Sequence, residues 1–177
     1  SLLVGSSFAK SMAMALNIPL IGVHHMKAHI MAHFIDKPQP RFPFLCLTVS
    51  GGHTQLVIVS GYNAFEVIGT TIDDAAGEAF DKVAKIIGFN YPGGPLIDQH
   101  AQFGNPDAIT FVEPSMQGFD YSFSGLKTNI LYFLQKEMRK DEKFIQNNLD
   151  DLCASVQKTI INILFNKLTK SAQKHNI

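Results

Sequence analysis

Two cysteines, no long apolar run and no excess charge of either sign limit what this 177-residue chain can be. Cys46 and Cys153 both stand among apolar neighbours, which predicts two buried thiols rather than a disulfide and favours a reducing compartment. No apolar run approaches the roughly 20 residues of a membrane-spanning helix. No charged and then apolar signal segment opens the chain either. We therefore expect a cytoplasmic protein.

The balance of charge excludes one way of binding nucleic acid. Fifteen Lys and Arg residues match fifteen Asp and Glu residues, so the formal net charge is zero. A neutral chain has no overall basic field with which to hold phosphates, so any contact with RNA has to be local or supplied by a partner. The apolar share of 46% and the charged share of only 17%, without charge blocks, favour a folded chain over a disordered one.

The ends of the chain and a group of prolines bear on its organisation. The chain starts at Ser1 without an initiator methionine and stops at Ile177 directly after a long helical pattern, so we expect a piece of a longer protein. Pro38, Pro40 and Pro43 interrupt regular structure. They predict a boundary between residues 1–40 and 41–177.

The pattern of apolar residues predicts an α/β chain. Residues 6–16 have helical spacing, and residues 18–23 have the composition of a short buried strand. After the prolines, β-rich runs at 44–49 and 54–59 flank a Gly-Gly pair, which predicts a hairpin, and residues 65–72 predict a third strand. Asp73 and Asp74 would then cap a helix that Gly88 ends. Three further helices are expected, near residues 96–103, from Leu126 and from Leu149.

A cluster of histidines is the sharpest local signal. Four of the seven histidines, His24, His25, His29 and His33, fall within ten residues. His25 and His29 are four residues apart, so on a helix they share one face and can bind one divalent cation. Two ligands make only half a site, so from the spacing alone a polar helix face whose histidines meet water is the more ordinary explanation. Met26 stands where the zinc-protease helix has a glutamate as general base.

The loop over residues 49–54 is a candidate anion site. Its two glycines allow backbone N–H groups to approach an anion closely, and the hydroxyls of Ser50 and Thr54 can donate as well. The loop lacks the Gly-Lys-Ser/Thr ending of a P-loop. A plain hairpin turn is therefore the competing interpretation.

Three carboxylates follow on the next predicted helix. Asp74, Glu78 and Asp81 share one face, where they can bind hydroxyls or a hydrated cation. Ion pairs with Lys82 and Lys85, each four residues after an acid, are the more ordinary explanation.

Two later segments are weaker signals. Residues 91–95 resemble a tight turn that leads into a helix N-terminus, where free N–H groups favour an anion or a nucleobase edge. Residues 119–126 place aromatic side chains beside Ser122 and Ser124, which a hydrophobic staple and a cap also explain.

Taken together, five segments resemble one family over essentially the whole chain: the bacterial tRNA threonylcarbamoyladenosine transferase subunit, TsaD, formerly called glycoprotease or O-sialoglycoprotein endopeptidase. The matching segments are Gly22-Val23-His24-His25 with His29, Val49-Ser50-Gly51-Gly52-His53-Thr54-Gln55-Leu56, Ile72-Asp73-Asp74-Ala75-Ala76-Gly77-Glu78-Ala79-Phe80-Asp81-Lys82, Tyr91-Pro92-Gly93-Gly94-Pro95 and Phe123-Ser124-Gly125-Leu126-Lys127. The resemblance implies an actin-like, sugar-kinase-like (ASKHA) α/β fold whose two lobes close on a nucleotide. Residues 1–40 would end the first lobe with a helix, a strand and the histidine-rich metal helix, and residues 41–177 would form most of the second.

The same resemblance implies an activity. Members transfer a threonylcarbamoyl group from its adenylate to the adenosine adjacent to the anticodon, in tRNAs that read codons starting with A. The implied partners are threonylcarbamoyl adenylate, tRNA and the subunits TsaB and TsaE of the transfer complex. Two alternatives stay open, a metal-dependent glycoprotease and a non-catalytic scaffold module of the same fold.

The resemblance also assigns site residues. His25 and His29 match metal ligands for one divalent metal per subunit, iron or zinc. A substrate loop is matched by Thr48, Val49, Ser50, Gly51 and Gly52, and two further adenylate contacts by Asp81 and Gly94. No catalytic residue is assigned. The chain has Lys27-Ala28 where the family often has Glu-Gly. The family's third metal ligand, an aspartate, and an asparagine that contacts adenosine lie beyond Ile177, so we expect the isolated piece to be inactive.

Overall fold

The computed structural model describes residues 2–114 and 116–177, so Ser1 and Ser115 lie outside the described residues. The chain divides into two compact units, Ser1–Pro40 and Arg41–Ile177, which are described separately below. The division falls within the proline-rich segment. The assignment of the two units to two lobes stays a prediction.

The first unit is helical where it is described. It contains α1 (Leu2–Leu16), α2 (His25–Met31) and a 3-10 turn (Ala32–Phe34). No strand forms between residues 2 and 40, so the strand predicted over 18–23 is wrong. A strand requires a hydrogen-bonded neighbour, and within this part of the chain nothing pairs with residues that include Pro19, which has no N–H to donate.

The second unit begins with an antiparallel sheet. Its strands are β1 (Phe44–Val49), β2 (Thr54–Gly61) and β3 (Ala64–Thr70), in the order β1-β2-β3. Val49 pairs with Thr54 across the first turn, so the predicted hairpin is confirmed. The predicted third strand is also confirmed but ends two residues early. Beyond the end of β3, Thr71 still donates to the carbonyl of Thr54 and also forms a parallel bridge with Tyr121.

Five helices follow the sheet in the described chain: α3 (Ala76–Ile87), α4 (Gly93–Ala101), α5 (Ser124–Met138), α6 (Phe144–Asn147) and α7 (Leu149–His175). Gly88 ends α3 with φ of 105°, a conformation that glycine adopts without a steric penalty. α4 begins at Gly93, earlier than predicted. Pro95 is tolerated there because the N–H groups of a first turn have no partner within the helix. α6 has four residues, too few to show a periodicity.

The core of the second unit lies where α3, α4, α5 and α7 meet the sheet. Its largest fully buried side chains include Leu56, Val83, Ile97, Leu126, Ile130, Leu152, Val156 and Ile160. Leu152, Val156 and Ile160 recur every four residues along α7, which explains why the sequence pattern predicted this helix. Burying each such side chain contributes roughly 1.5–3 kcal/mol. α3 and α4 are thereby fixed against a packed interior.

Both cysteines behave as predicted. Cys46 and Cys153 are free thiols and both are buried. Burial, reinforced by the charge of Asp150, raises the pKa of Cys153 to about 12. Among the described helices, none is both long enough and apolar enough to cross a bilayer.

Candidate functional site

The loop between β1 and β2 folds around one hydroxyl group. The backbone N–H of Ser50 donates to the carbonyl of His53 over 2.8 Å. Ser50 Oγ accepts hydrogen bonds from the N–H groups of His53, at 3.0 Å, and Gly52, at 3.4 Å. Thr48 and Val49 lead into this turn as the last residues of β1. The long bond from Gly52 is the weaker of the two, so this N–H is the easier one for an anion to recruit.

Gly51 and Gly52 are exposed, and the fold itself does not require glycine at either position. A Cβ placed on either residue would meet no atom within 4 Å apart from those of its immediate chain neighbours. Neither has a positive φ, so the backbone conformation is open to other residues. Both positions therefore leave room for a ligand that comes close to the backbone.

The loop packs directly against the start of α3. Gly77 N donates to the carbonyl of Ser50 over 3.2 Å. A Cβ on Gly77 would lie 2.8 Å from both Gly51 Cα and Ser50 O, closer than real Cβ contacts. Thr54 Oγ1 accepts from Ala76 N over 2.9 Å, and Thr54 is fully buried. The expectation that the Thr54 hydroxyl donates to a bound anion is therefore wrong, because this side chain faces the helix rather than solvent.

Asp81 lies further along α3 and connects it to α4. Its Oδ1 accepts from Gly93 N at 2.8 Å and from Gly94 N at 3.3 Å. The α4 N-terminus was expected to favour an external anion, but this carboxylate supplies the negative charge itself. No ion pair joins Asp81 to Lys85 within residues 2–114 and 116–177, so that predicted pair is wrong. Asp81 instead bonds through Oδ1 to the start of α4.

An open pocket borders Asp81. Its volume is about 480 Å³, within the range of small-molecule sites. The residues around it are Glu78, Asp81, Lys82, Lys85, Phe89, Asn90 and Tyr91. Sequence reasoning did not find Phe89 and Asn90. The left-handed Gly88, which turns the chain back across the end of α3, is the signal that could have indicated them.

Two of the three acids on α3 and its N-terminal side are occupied by one lysine. Lys82 Nζ lies 2.5 Å from Asp74 Oδ1 and 2.8 Å from Glu78 Oε1. Hydrogen bonds to these two carboxylates raise the pKa of Lys82. The ion pair expected between Glu78 and Lys82 is thus confirmed. Asp81 is the one carboxylate of the three that does not pair with Lys82.

Asp73 does not cap α3, contrary to expectation. Residue Ala75 is the N-cap and offers no side-chain acceptor. Asp73 instead accepts from Ser122 Oγ at 2.6 Å, Phe123 N at 2.8 Å and Ser124 Oγ at 2.8 Å, at the start of α5. Partial burial acts to raise the pKa of Asp73, but these hydrogen bonds together outweigh it and hold the pKa below its ordinary value. The contacts also explain the serines that the sequence places beside the aromatic residues there.

The histidine pair belongs to the first unit, and its two imidazoles are in hydrogen-bond contact. His25 and His29 lie on α2 with their Nε2 atoms 3.2 Å apart. Two nitrogens bound to one tetrahedral zinc at 2.0–2.1 Å each would lie about 3.3 Å apart, so the pair fits such an ion. His24 serves as the N-cap of α2 and accepts from Lys27 N over 3.5 Å. No group of three or more metal-ligating side chains occurs among the described residues.

The predicted adenylate residues are thus joined through α3. The glycine loop contacts its first turn, and Asp81 bonds from its middle to Gly94. About 6 Å of helix rise separates Gly77 from Asp81. The loop, the carboxylate and the start of α4 are thus connected through α3 within the second unit.

Comparison with known proteins gives one consistent result. A sequence model of the family described as TsaD, tRNA N6-adenosine threonylcarbamoyltransferase, matches residues 1–177. Curated proteins called tRNA N6-adenosine threonylcarbamoyltransferase are similar to the chain. One from Riemerella anatipestifer is 61% identical over 175 residues, which cover 97% of this chain and 51% of the relative. Another from Christiangramia forsetii is 58% identical over 180 residues, covering 100% and 53%. The chain spans about half the length of the curated relatives it matches.

Proposed function

Because the chain belongs to the TsaD family, we propose that the intact protein transfers a threonylcarbamoyl group from threonylcarbamoyl adenylate to the adenosine beside the anticodon in tRNAs that read codons starting with A. The exocyclic amine of that adenosine forms a bond to the carbamoyl carbon and loses a proton. The bond from this carbon to the phosphate oxygen breaks, and AMP leaves. We place the reaction in the cytoplasm, with TsaB and TsaE as partner subunits.

The fold is part of the proposal. A three-stranded antiparallel sheet followed by helices supports a truncated α/β lobe. We propose that the complete protein has the actin-like and sugar-kinase-like architecture, with residues 41–177 in its second lobe.

The contrast between two sets of glycines carries the proposal. Gly77 and Gly93 are required by packing, since a Cβ at Gly93 would lie 2.1 Å from the Cβ of an α3 alanine. Gly51, Gly52 and Gly94 have room for a Cβ and no positive φ. These three are the glycines that the family resemblance assigns to the adenylate. Neither packing nor backbone conformation requires glycine at these three positions. A ligand that lies close to the backbone would explain why glycine occurs there.

The same arrangement gives each group a role. Gly51 and Gly52 are exposed in the loop, and their N–H groups would hold the adenylate phosphate, with the Gly52 N–H exchanging its long bond to Ser50 Oγ for the ligand. Asp81 is fixed by α4 through Oδ1, so its Oδ2 would accept from ribose hydroxyls. The adjacent pocket of about 480 Å³ gives the rest of the nucleotide room.

The metal is a separate component. His25 and His29 would hold one iron or zinc ion, with a third protein ligand from outside this chain. A bound metal would supply Lewis-acid polarisation of the carbonyl under attack. Because two histidines are an incomplete ligand set, we expect the 177 residues alone to lack transfer activity.

Glycine variants of the intact protein test the proposal. Gly51→Ala and Gly52→Ala should weaken the binding of threonylcarbamoyl adenylate about tenfold or more, which corresponds to about 1.4 kcal/mol, without lowering the melting temperature. Gly61→Ala is the matched control. Gly61 lies at the other end of β2, and its Cβ would make an ordinary 3.8 Å contact.

Isothermal titration calorimetry gives the affinity, and transfer of labelled threonylcarbamoyl to unmodified tRNA gives the activity. Affinities equal to wild type in both loop variants would contradict the assignment of the loop. Cleavage of a glycoprotein by a wild-type protein that transfers nothing to tRNA would support the glycoprotease alternative instead.

A further inference from the structure

We propose that Thr54 is a positioning residue, whose buried hydroxyl oxygen holds α3, and with it Asp81, in register with the glycine loop. The inference rests on the proposed function, because it concerns the alignment of the two halves of the adenylate site. Nothing in the family resemblance assigned a role to the side chain of Thr54.

Thr54 contacts three segments at once. It is the first residue of β2 and pairs with Val49, so it lies directly beside the turn formed by residues 50–53. Its carbonyl accepts from Thr71 N over 2.9 Å, and its Oγ1 accepts from Ala76 N over 2.9 Å. The hairpin, the end of β3 and the start of α3 therefore converge on one fully buried residue.

Helix α3 depends on this oxygen because it lacks a cap of its own. The first N–H groups of a helix have no partner within the helix. The N-cap residue Ala75 cannot supply one. Thr54 satisfies the N–H of Ala76 from 22 residues away, and the carbonyl of Ser50 satisfies the N–H of Gly77. Both acceptors come from the hairpin, so the position of the hairpin fixes the position of the helix along its axis.

A displacement of the helix would reach the ligand groups. Asp81 follows Ala76 by five residues, about 7.5 Å of rise, and its carboxylate bonds to the first N–H groups of α4. A shift of α3 therefore moves the carboxylate relative to the glycine loop. A misplacement of about 1 Å in a reacting site can reduce the rate about 100-fold.

Three variants of the intact protein separate positioning from simple stability. Thr54→Val keeps the shape and removes the acceptor, whereas Thr54→Ser keeps the acceptor and removes a methyl group. The matched control is Thr159→Val. Thr159 is another buried threonine with a hydroxyl hydrogen bond, 2.8 Å to the carbonyl of Ser155 in α7, outside the hairpin and α3.

The readouts are the KM for threonylcarbamoyl adenylate, the KM for tRNA, the melting temperature and amide hydrogen exchange. Thr54→Val should raise the KM for the adenylate about 10- to 100-fold and leave the KM for tRNA unchanged. Thr54→Ser should stay within about threefold of wild type for both. Thr159→Val should lower the melting temperature without changing either KM. Amide exchange in Thr54→Val should accelerate at Ala76 and also at Gly93, whose N–H Asp81 holds.

Two results with the Thr54 variants would overturn the inference, apart from the exchange result at Gly93 given below. One is a Thr54→Val protein that is less stable but binds the adenylate as wild type does. The other is a folded Thr54→Ser protein as defective as Thr54→Val, because that would assign the effect to the methyl group. If the valine variant does not fold, the Thr54→Ser protein decides: a KM for the adenylate raised tenfold or more in this variant would overturn the inference.

Failure of the proposed function has a different signature. A wild-type protein that does not bind the adenylate would refute that function. Hydrogen exchange at Gly93 would still decide whether Thr54 positions Asp81, and unchanged protection there would overturn the inference.

Discussion

Removing the carboxylate of Asp73 should loosen the start of α5, although Asp73 precedes that helix by about 50 residues in the chain. Its two oxygens accept from Ser122 Oγ, Phe123 N and Ser124 Oγ, over 2.6–2.8 Å. Phe123 is fully buried and is the N-cap of α5, with no side-chain cap bond of its own. Asp73 is thus a remote cap for this helix.

The expected decrease in the free energy of unfolding depends on which hydrogen-bond donors lose their acceptor in Asp73→Ala. The N–H of Phe123 would be buried and unsatisfied, which costs about 1–3 kcal/mol. Ser124 is exposed and Ser122 borders the exposed position that the carboxylate leaves, so both hydroxyls can turn to water at little cost. The carboxylate is only partly buried, so solvent screens its charge and the charge adds little to stability. We expect Asp73→Ala to lower the free energy of unfolding by about 2 kcal/mol in total. Asp73→Asn should lower it by about half as much, because the amide keeps one carbonyl oxygen for the N–H of Phe123.

Hydrogen exchange and thermal unfolding of the intact protein measure this loss. A local change of about 2 kcal/mol should speed exchange of the Phe123 amide roughly 30-fold. Asp107→Ala is the control, because Asp107 is exposed and pairs with Lys158 on the surface. Its effect should stay below about 1 kcal/mol. Equal protection of Phe123 in wild type and Asp73→Ala would refute the assignment of Asp73 as the cap.

The dependence on pH has a definite sign. The folded pKa of Asp73 lies below its ordinary value, so the ionised carboxylate contributes stability that is fully present above about pH 4. This contribution is lost as the pH falls through the lowered folded pKa. The difference in stability between wild type and Asp73→Asn should therefore be constant near neutrality and shrink in acid. A difference that grows as the pH falls would contradict the direction of the pKa shift.

Two further predictions concern the ligands and the junction of α3 with α4. In the intact protein, replacing both His25 and His29 by alanine should remove the bound iron or zinc, whereas His33→Ala should retain it. Elemental analysis of the purified proteins measures the metal. Equal metal content in the double variant and wild type would contradict the ligand assignment. Gly93→Ala should lower the free energy of unfolding by about 1–3 kcal/mol, because its Cβ would overlap α3. Gly94→Ala should leave it unchanged, because its Cβ has room. Denaturant unfolding curves that coincide for wild type and both variants would refute this packing argument.

Much of the second unit could be predicted from the sequence because its signals are local. Two β-rich runs around a Gly-Gly pair encode the hairpin, and the pairing of Val49 with Thr54 confirms it. A glycine in the left-handed conformation ends α3 where the sequence placed the end. The strand expected over residues 18–23 was wrong for the converse reason. Its composition was suitable, but a strand also depends on a neighbour that composition does not specify.

The family resemblance was also present in the sequence, because it consists of short motifs in a fixed order. The match of the family model to residues 1–177 confirms it. The motifs identify Ser50, Gly51, Gly52 and Asp81 as residues of interest, but they do not say which atom of each is already committed.

Only the tertiary structure decided how those motifs are connected. Thr54, predicted as a donor to an anion, instead accepts from the start of α3. Asp73, predicted as a cap of α3, instead accepts from the start of α5. Asp81 took the anion position at the start of α4. Each of these bonds joins residues 12 to 50 positions apart. Sequence periodicity reports which face of an element is buried, whereas the partner of a polar side chain depends on which distant backbone groups the packed core brings within about 3 Å.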